Sequence, residues 1–314
     1  MSKKTALVGY TGFVGSNLCR SASFDFLANS KNVQQLYGVR PDVLIYAGVT
    51  GTKWYANTHK EYDEAIIRAA EENIVKIAPK KLVLISTVDV YSSIDDVTEE
   101  TPIEVAKLHT YGKNRYMLEK WTEENIEDYH IVRLPAIYGE NLKKNFIYDL
   151  IHLVPYTLTK DRMDAIITNY SDISSYYRLN VDKNFELIPL EKGEYRKLRD
   201  IFAEIPMNAL SFTNSESSYQ FLNLATVWKY IETVIKEQIR TINLVTEPIA
   251  AEEVFEYIYH DKFRNDTVNR INYNLKSIYA DSIVGHGKQY YGDKDAVLYD
   301  CLLYTSPSPR DSTS

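Results

Sequence analysis

Three glycines at a spacing of three, Gly9, Gly12 and Gly15, follow the apolar run Ala6-Leu7-Val8 close to the start of the chain. The stretch from Ala6 to Gly15 reads as a strand, a tight turn and a helix that starts near Phe13. Each glycine has its own reason to be there. Gly9 permits a turn directly off the strand. Gly12, lacking a Cβ, lets a pyrophosphate come close to the backbone. Gly15 lets the helix lie near the strand. Thr11, Phe13 and Val14 fill the turn, and the open N–H groups and positive dipole end of the helix face the anion. A strand–helix turn that holds no ligand is the other reading of the same residues.

The first half of the chain then alternates. Strands are expected at 24–29, 42–48, 81–87 and 129–134, and helices at 59–78 and 111–125. In the first of these helices the apolar positions are Ala65, Ile66, Ala69, Ala70, Ile74 and Ile77. Near-continuous apolar strands separated by helices predict an α/β fold, a Rossmann-type doubly wound parallel sheet covered on both faces. Ligands of such sheets sit beyond the carboxyl ends of the strands. Those ends are Gly9, Asn29, Ala47 with Gly48, Thr87 and Pro135. The second half is irregular and tyrosine-rich, with helices expected at 194–205, 224–238 and 250–260 and a strand at 241–245. The division that follows is a dinucleotide-binding domain over 1–154 and a smaller C-terminal substrate lobe over 155–300, some of whose elements return to the first domain. Residues 301–314, rich in Ser and Pro, are set aside as a disordered, non-native tail.

The 314 residues carry a net charge of −7 and no basic run, so no nucleic-acid footprint is expected. No apolar stretch is long enough for a membrane span or a signal segment. The two cysteines, Cys19 and Cys301, build neither a disulfide framework nor a metal knuckle. A cytoplasmic protein without a metal site is the expectation.

Chemistry concentrates at three places. Ile85-Ser86-Thr87-Val88-Asp89-Val90-Tyr91 delivers the Thr87 hydroxyl at a strand end. Tyr111-Gly112-Lys113-Asn114-Arg115 puts a tyrosine and a cation four apart, on one helix face. Arg133-Leu134-Pro135-Ala136-Ile137-Tyr138-Gly139 forms the next strand end. With the glycine turn, these segments occur in the order of the extended short-chain dehydrogenase/reductase family, which includes the nucleotide-sugar epimerases and dehydratases, and the chain resembles that family over most of residues 4 to 260. The resemblance implies an NAD(P)-dependent epimerase, dehydratase or keto-reductase acting on a nucleotide-linked sugar. It gives Tyr111 the role of general acid/base and Thr87 that of a hydrogen-bond partner to the same substrate oxygen. It expects lysine where this chain has Arg115, and the planar arginine fork is not equivalent at a geometric site. A second pair, Tyr116 and Lys120, has the spacing but faces roughly 140° away round the helix.

The end of the second strand ordinarily carries an acid for the adenosine ribose of NAD. Here it reads Asn29-Ser30-Lys31, which inclines the reading to NADP, with NAD as the alternative. Substrate candidates are Trp54 and Asn57 in the segment after the 42–48 strand, Asp89 after Thr87, and Lys143, Lys144 and Asn145 where related enzymes bind the sugar diphosphate. Relatives also suggest a homodimer. Against the enzyme stands a non-catalytic dinucleotide-binding sensor or assembly protein, motivated by Arg115.

Overall fold

The structure is a computed structural model and describes residues 3–180, 183–205 and 207–305. Its central sheet has six strands: β1 (Thr5–Val8), β2 (Phe26–Ala28), β3 (Val43–Tyr46), β4 (Leu82–Thr87), β5 (Tyr129–Leu134) and β6 (Thr241–Asn243). They lie in the order β6-β5-β4-β3-β1-β2, and every neighbouring pair is parallel. This is the α/β, Rossmann-type sheet expected from the sequence. All strand ends that carry candidate residues therefore fall on one edge.

The helices around it are α1 (Phe13–Ser21), α2 (Lys53–Thr58), α3 (Lys60–Ile77), α4 (Thr110–Asn125) and α5 (Leu224–Lys236). Strand side chains alternate between the two faces. Ala6, Val8, Leu44, Tyr46, Leu82 and Leu84 pack with Ile67, Ala70, Ile74 and Ile77 of α3 and Leu118 of α4. Leu7, Val43, Ile45, Val83 and Val132 pack on the other side with Leu18 of α1 and Val227, Ile231 and Val234 of α5. Each fully buried Leu, Ile or Val of these layers contributes about 1.5–3 kcal/mol.

The buried face of α3 differs from the one expected. It consists of Asp63, Ile67, Ala70, Ile74 and Ile77, while Ala65 and Ala69 are exposed. The helix is turned so that a carboxylate in its first turn points inward, and that carboxylate has a partner on α4.

After β2 the chain makes only a 3-10 turn, Val33–Leu36, and crosses to the far side of β1 to form β3. The strand order thus reverses between β1 and β3, the switch point where open α/β sheets bind ligands. Gly9 and Ala47 stand there, directly after the two strands.

Two compact units emerge. The first joins Met1–Leu142, Ser218–Ile249 and Asn272–Asp300, so α5 and β6 return to it from late in the chain. The second contains Lys143–Ser217 and Ala250–Ile271, a boundary some residues earlier than the division at 154. It holds a three-stranded antiparallel sheet, Thr157–Leu158, Phe185–Leu187 and Tyr177–Leu179, in that spatial order. Its core is built from Leu158, Met163, Ile166, Tyr177, Leu198 and Phe202. A last helix covers Lys294–Thr305 and so enters the segment set aside as tail; residues 306–314 lie outside the described residues.

The second unit offers a pH test. Its helix Phe146–His152 carries Asp149, whose carboxyl is pushed up to about 7 by burial. The folded state then holds a proton that the unfolded chain releases near pH 4. Stability is lost as pH rises from about 4 to about 7, and the loss is constant above that. Asp149→Asn should therefore melt higher than the parent above pH 7, with the difference shrinking as the pH falls toward 4. A melting-temperature series over pH 4–8 reads this directly.

Candidate active site

The glycine turn has the shape its sequence implies. Gly9 has φ +95°, and a Cβ there would run into the carbonyl of Ala47 at the end of β3. A Cβ on Gly15 would run into the carbonyl of Gly9, so α1 lies against the turn at that point. Gly12 is the N-cap of α1 and offers no side chain to cap it. Its N–H donates to Gly9 at 2.9 Å, and Ser16 donates back to Gly12 at 2.9 Å. The N–H groups of Phe13, Val14 and Gly15 come before that first intrahelical bond. Open N–H groups at the start of a helix whose N-cap is a glycine suit a pyrophosphate. Asn17 ties the neighbouring strand end to this helix, donating to Phe13 O at 2.9 Å and to Glu140 O at 3.0 Å. Gly15→Ala should lower dinucleotide affinity by at least about tenfold and cost about 1–3 kcal/mol of stability, because the added methyl meets backbone rather than a movable side chain. Calorimetric titration beside a denaturant melt separates the two effects.

The remaining candidates of the cofactor edge fall where expected. No carboxylate stands at the end of β2. Asn29 turns its Oδ1 back to accept from the Lys31 N–H at 2.9 Å, and Ser30 and Lys31 are exposed. Thr11 and Gly48 are exposed, and Pro135 is partly buried directly after β5.

The Tyr111 site is built from four elements of the first unit. Gly112, next to it, lies so close to the Asp89 carbonyl that a Cβ would collide with that oxygen. This close approach sets the start of α4 against the turn after β4. Two side chains hold that start in place. His109, the N-cap of α4, accepts from the Gly112 N–H at 3.1 Å, and Asn57 of α2 accepts from the Tyr111 N–H at 2.9 Å. Tyr111 is buried, and Thr87, the last residue of β4, is among the groups that bear on its phenol. Thr87 Oγ1 also accepts from the Asp89 N–H at 3.1 Å. The start of α4, with Tyr111, thus lies against the turn that follows Thr87. Burial pushes the Tyr111 phenol above its ordinary value. Arg115 opposes that rise most, followed by Lys53 and Thr87, while Asp89 adds to it.

Arg115 is not free to face a ligand. Its Nη1 donates to Asp63 Oδ2 at 2.5 Å and to the Tyr111 carbonyl at 3.3 Å, and its Nη2 donates to the Thr50 carbonyl at 2.6 Å. The guanidinium carbon sits 3.9 Å from the centroid of the Tyr111 ring. Arg115 is only 4% exposed and Asp63 only 2%. Asn114 donates to the same Asp63 oxygen at 2.9 Å. This is the reason for the turned face of α3. An acid within an apolar stripe needs a buried cation, and that requirement was the sequence signal for Asp63. Sequence reasoning also missed Lys53, which pairs with Asp89 at 2.6 Å.

The other candidates divide. Asn57 serves the α4 start rather than an open surface. Trp54 is half exposed, tilted against Tyr55 and edge-on to His59. Tyr116 packs with Val88, Val90 and Val97, and Lys120 pairs with Glu123, so the second tyrosine–lysine pair is occupied structurally. Lys143, Lys144 and Asn145 belong to the second unit. Both lysines are exposed, and Asn145 caps the helix Phe146–His152 by accepting from the Tyr148 N–H at 3.1 Å. Among the described residues no three His, Cys, Asp or Glu side chains form a metal site, and no helix is long and apolar enough to cross a membrane.

A parallel sheet with a glycine turn at its switch point and a buried Tyr–Thr pair at the β4 end defines a dinucleotide-binding fold of the short-chain dehydrogenase type. The model of the RmlD substrate binding domain family matches residues 5–165, about half of the chain, and the chain belongs to that family. No curated protein matches it in sequence. Among solved structures it is similar to the dTDP-4-dehydrorhamnose reductase of Bacillus anthracis str. Ames in complex with NADP. That pair has 14% identity and a TM-score of 0.62, over 97% of this chain and 99% of the other. MoeE5 in complex with UDP-glucose and NAD has 13% identity and a TM-score of 0.62, over 96% and 98% of the two chains. The UDP-glucose 4-epimerase of Thermotoga maritima with UDP-glucose has 10% identity and a TM-score of 0.60, over 96% and 97%. At these identities the likeness is one of fold.

Proposed function

We propose that this chain is an NADP-dependent enzyme that reduces or epimerises a nucleotide-linked sugar in the cytoplasm, with NAD as the alternative cofactor. The observation that carries the reading is a buried Tyr111 at the sheet edge that also presents Thr87 at the end of β4 and the glycine turn after β1. Fold neighbours that bind NADP, NAD and UDP-glucose support it.

In this reading the N–H groups of Phe13, Val14 and Gly15 hold the pyrophosphate. Ser30 and Lys31, with no acid at the β2 end, admit a 2′-phosphate. The nicotinamide, when bound, supplies the hydride chemistry. Tyr111 and Thr87 both face the sugar oxygen. Because burial raises its phenol, Tyr111 keeps its proton at neutral pH and is set to donate it, which suits reduction of a ketone. Thr87 orients that oxygen, and water is kept from the proton by the burial of the ring.

The test is a calorimetric titration with NADPH and with NADH, followed by NADPH oxidation in the presence of a dTDP-linked 4-keto sugar. Tight NADPH binding with turnover is expected. NADH preference would overturn the cofactor assignment alone. A second reading, a non-catalytic dinucleotide sensor, is favoured by the locked Arg115. Dinucleotide binding without turnover of dTDP- and UDP-linked sugars would put it in front.

A further inference from the structure

The spacing of tyrosine and cation assigns the positive charge of the site to residue 115, but Arg115 is fully engaged. Its two terminal nitrogens are committed to Asp63 and to the carbonyls of Thr50 and Tyr111, and its charge is neutralised by a carboxylate as buried as itself. A different cation sits on the helix that holds the Tyr111 backbone. Lys53, the first residue of α2, pairs with Asp89 at 2.6 Å, with side chains 42% and 19% exposed. One turn further along α2, Asn57 holds the Tyr111 N–H. Asp89 presses its carbonyl on Gly112. The segments that carry the Lys53–Asp89 pair are therefore anchored at the backbone of residues 111 and 112, while the ammonium still reaches solvent.

We propose that Lys53 is a positioning residue for Tyr111, and that the Lys53–Asp89 pair, rather than Arg115, is the adjustable charge that sets how firmly the phenol holds its proton. The proposal rests on reading Tyr111 as the proton donor. The charged and titratable groups around Tyr111 come from four elements. Lys53 is on α2, Asp89 follows β4, His109 and Arg115 belong to the start of α4, and Asp63 on α3 stands behind Arg115. Tyr273 lies within the field of Asp89. His109 is held neutral by burial and by Lys53, and its Nδ1 is taken by the Gly112 N–H. Arg115 and Asp63 are locked to each other. Lys53 and Asp89 are left as the charges able to change partner when a polar ligand arrives. Loss of the ammonium would leave Asp89 bare beside the phenol, and loss of the carboxylate would leave Lys53 bare. The two changes must act in opposite directions, which mere loosening of the structure would not do.

The experiment places 3,5-difluorotyrosine at position 111 of the full chain, so that the phenol titrates in the neutral range, and follows it by fluorine NMR. Lys53→Met should raise the titration midpoint by about one pH unit and Asp89→Asn should lower it by a comparable amount. Lys53→Arg, which keeps the charge, should leave it within about half a unit of the parent. Shifts of the same sign in Lys53→Met and Asp89→Asn, or no shift in either, would overturn the proposal. Melting curves of each variant confirm that the fold is retained; Lys53 is partly exposed and both changes at that position leave the core untouched. The readout needs neither substrate nor cofactor. If the midpoints move as stated and no sugar is turned over, it is the enzymatic reading that fails and the charge assignment that stands.

Discussion

Tyr111→Phe should lower turnover by about 10²–10⁴-fold and change the dinucleotide dissociation constant by less than about twofold. The variant removes one oxygen and nothing else. The ring stays under the Arg115 guanidinium, and the backbone N–H still donates to Asn57. The glycine turn, which carries the expected pyrophosphate contacts, does not touch the phenol. Thr87 keeps its acceptor role toward Asp89 N–H and can still orient a sugar oxygen. The proton would then have to come from water, and the rate should become steeply dependent on pH and on added weak acids. Steady-state kinetics together with calorimetry on the same preparation measure both numbers. Full activity in the variant would remove Tyr111 from the chemistry altogether.

The second large effect is on stability. Asp63→Ala should destabilise the protein by about 3–5 kcal/mol, because it leaves the Arg115 charge buried with only carbonyl acceptors. Asn114 would lose its acceptor as well. The paired change Asp63→Leu with Arg115→Met removes both charges and should cost clearly less than the sum of the single changes, since each single change strands a charge that the double change does not. Denaturant melts of the four proteins of that cycle give the coupling energy. The same logic makes Arg115→Lys a poor restoration of the expected motif. A lysine ammonium cannot serve Asp63 and Thr50 at once from a planar fork or spread over the Tyr111 ring.

What the sequence revealed follows from the range of the interactions involved. The glycine turn is local: three residues without side chains, a strand before them and a helix after. Strand positions were legible because parallel strands covered on both faces are apolar almost without interruption. That Thr87 ends a strand and Tyr111 opens the following helix was legible as well, because both follow from local pattern. The environment of Arg115 was not. Asp63 sits 52 positions earlier, and its importance comes from the way α3 packs on α4. An amphipathic reading that counted Ala65 and Ala69 as core hid it, although a carboxylate four residues before Ile67 was the clue. Lys53 was passed over for a similar reason. On paper it is one lysine in a polar segment, and only the fold pairs it with Asp89, whose carbonyl abuts Gly112. The second unit was read with correct helices, near 194–205 and 250–260, but its function was not legible, since its core residues speak only of packing.

The order in which the first unit is drawn from the chain has a consequence for its biosynthesis. Its sheet is closed by β6, and the face over Leu7, Ile45 and Val132 is covered by α5, yet both come after Lys143–Ser217, the larger part of the second unit, has been encoded. On a ribosome adding about 5–20 residues per second, roughly a hundred residues separate Leu142 from β6, a wait of about 5–20 s. Throughout that interval the outer edge of β5 has no neighbour and the α1 side of the sheet is uncovered. The nascent first unit therefore depends on whatever shields such surfaces in the cell. A gene fragment stopped at 142 should yield aggregate, whereas a fusion of 3–142 with 218–249 and 272–300 is the shorter protein with a prospect of remaining in solution.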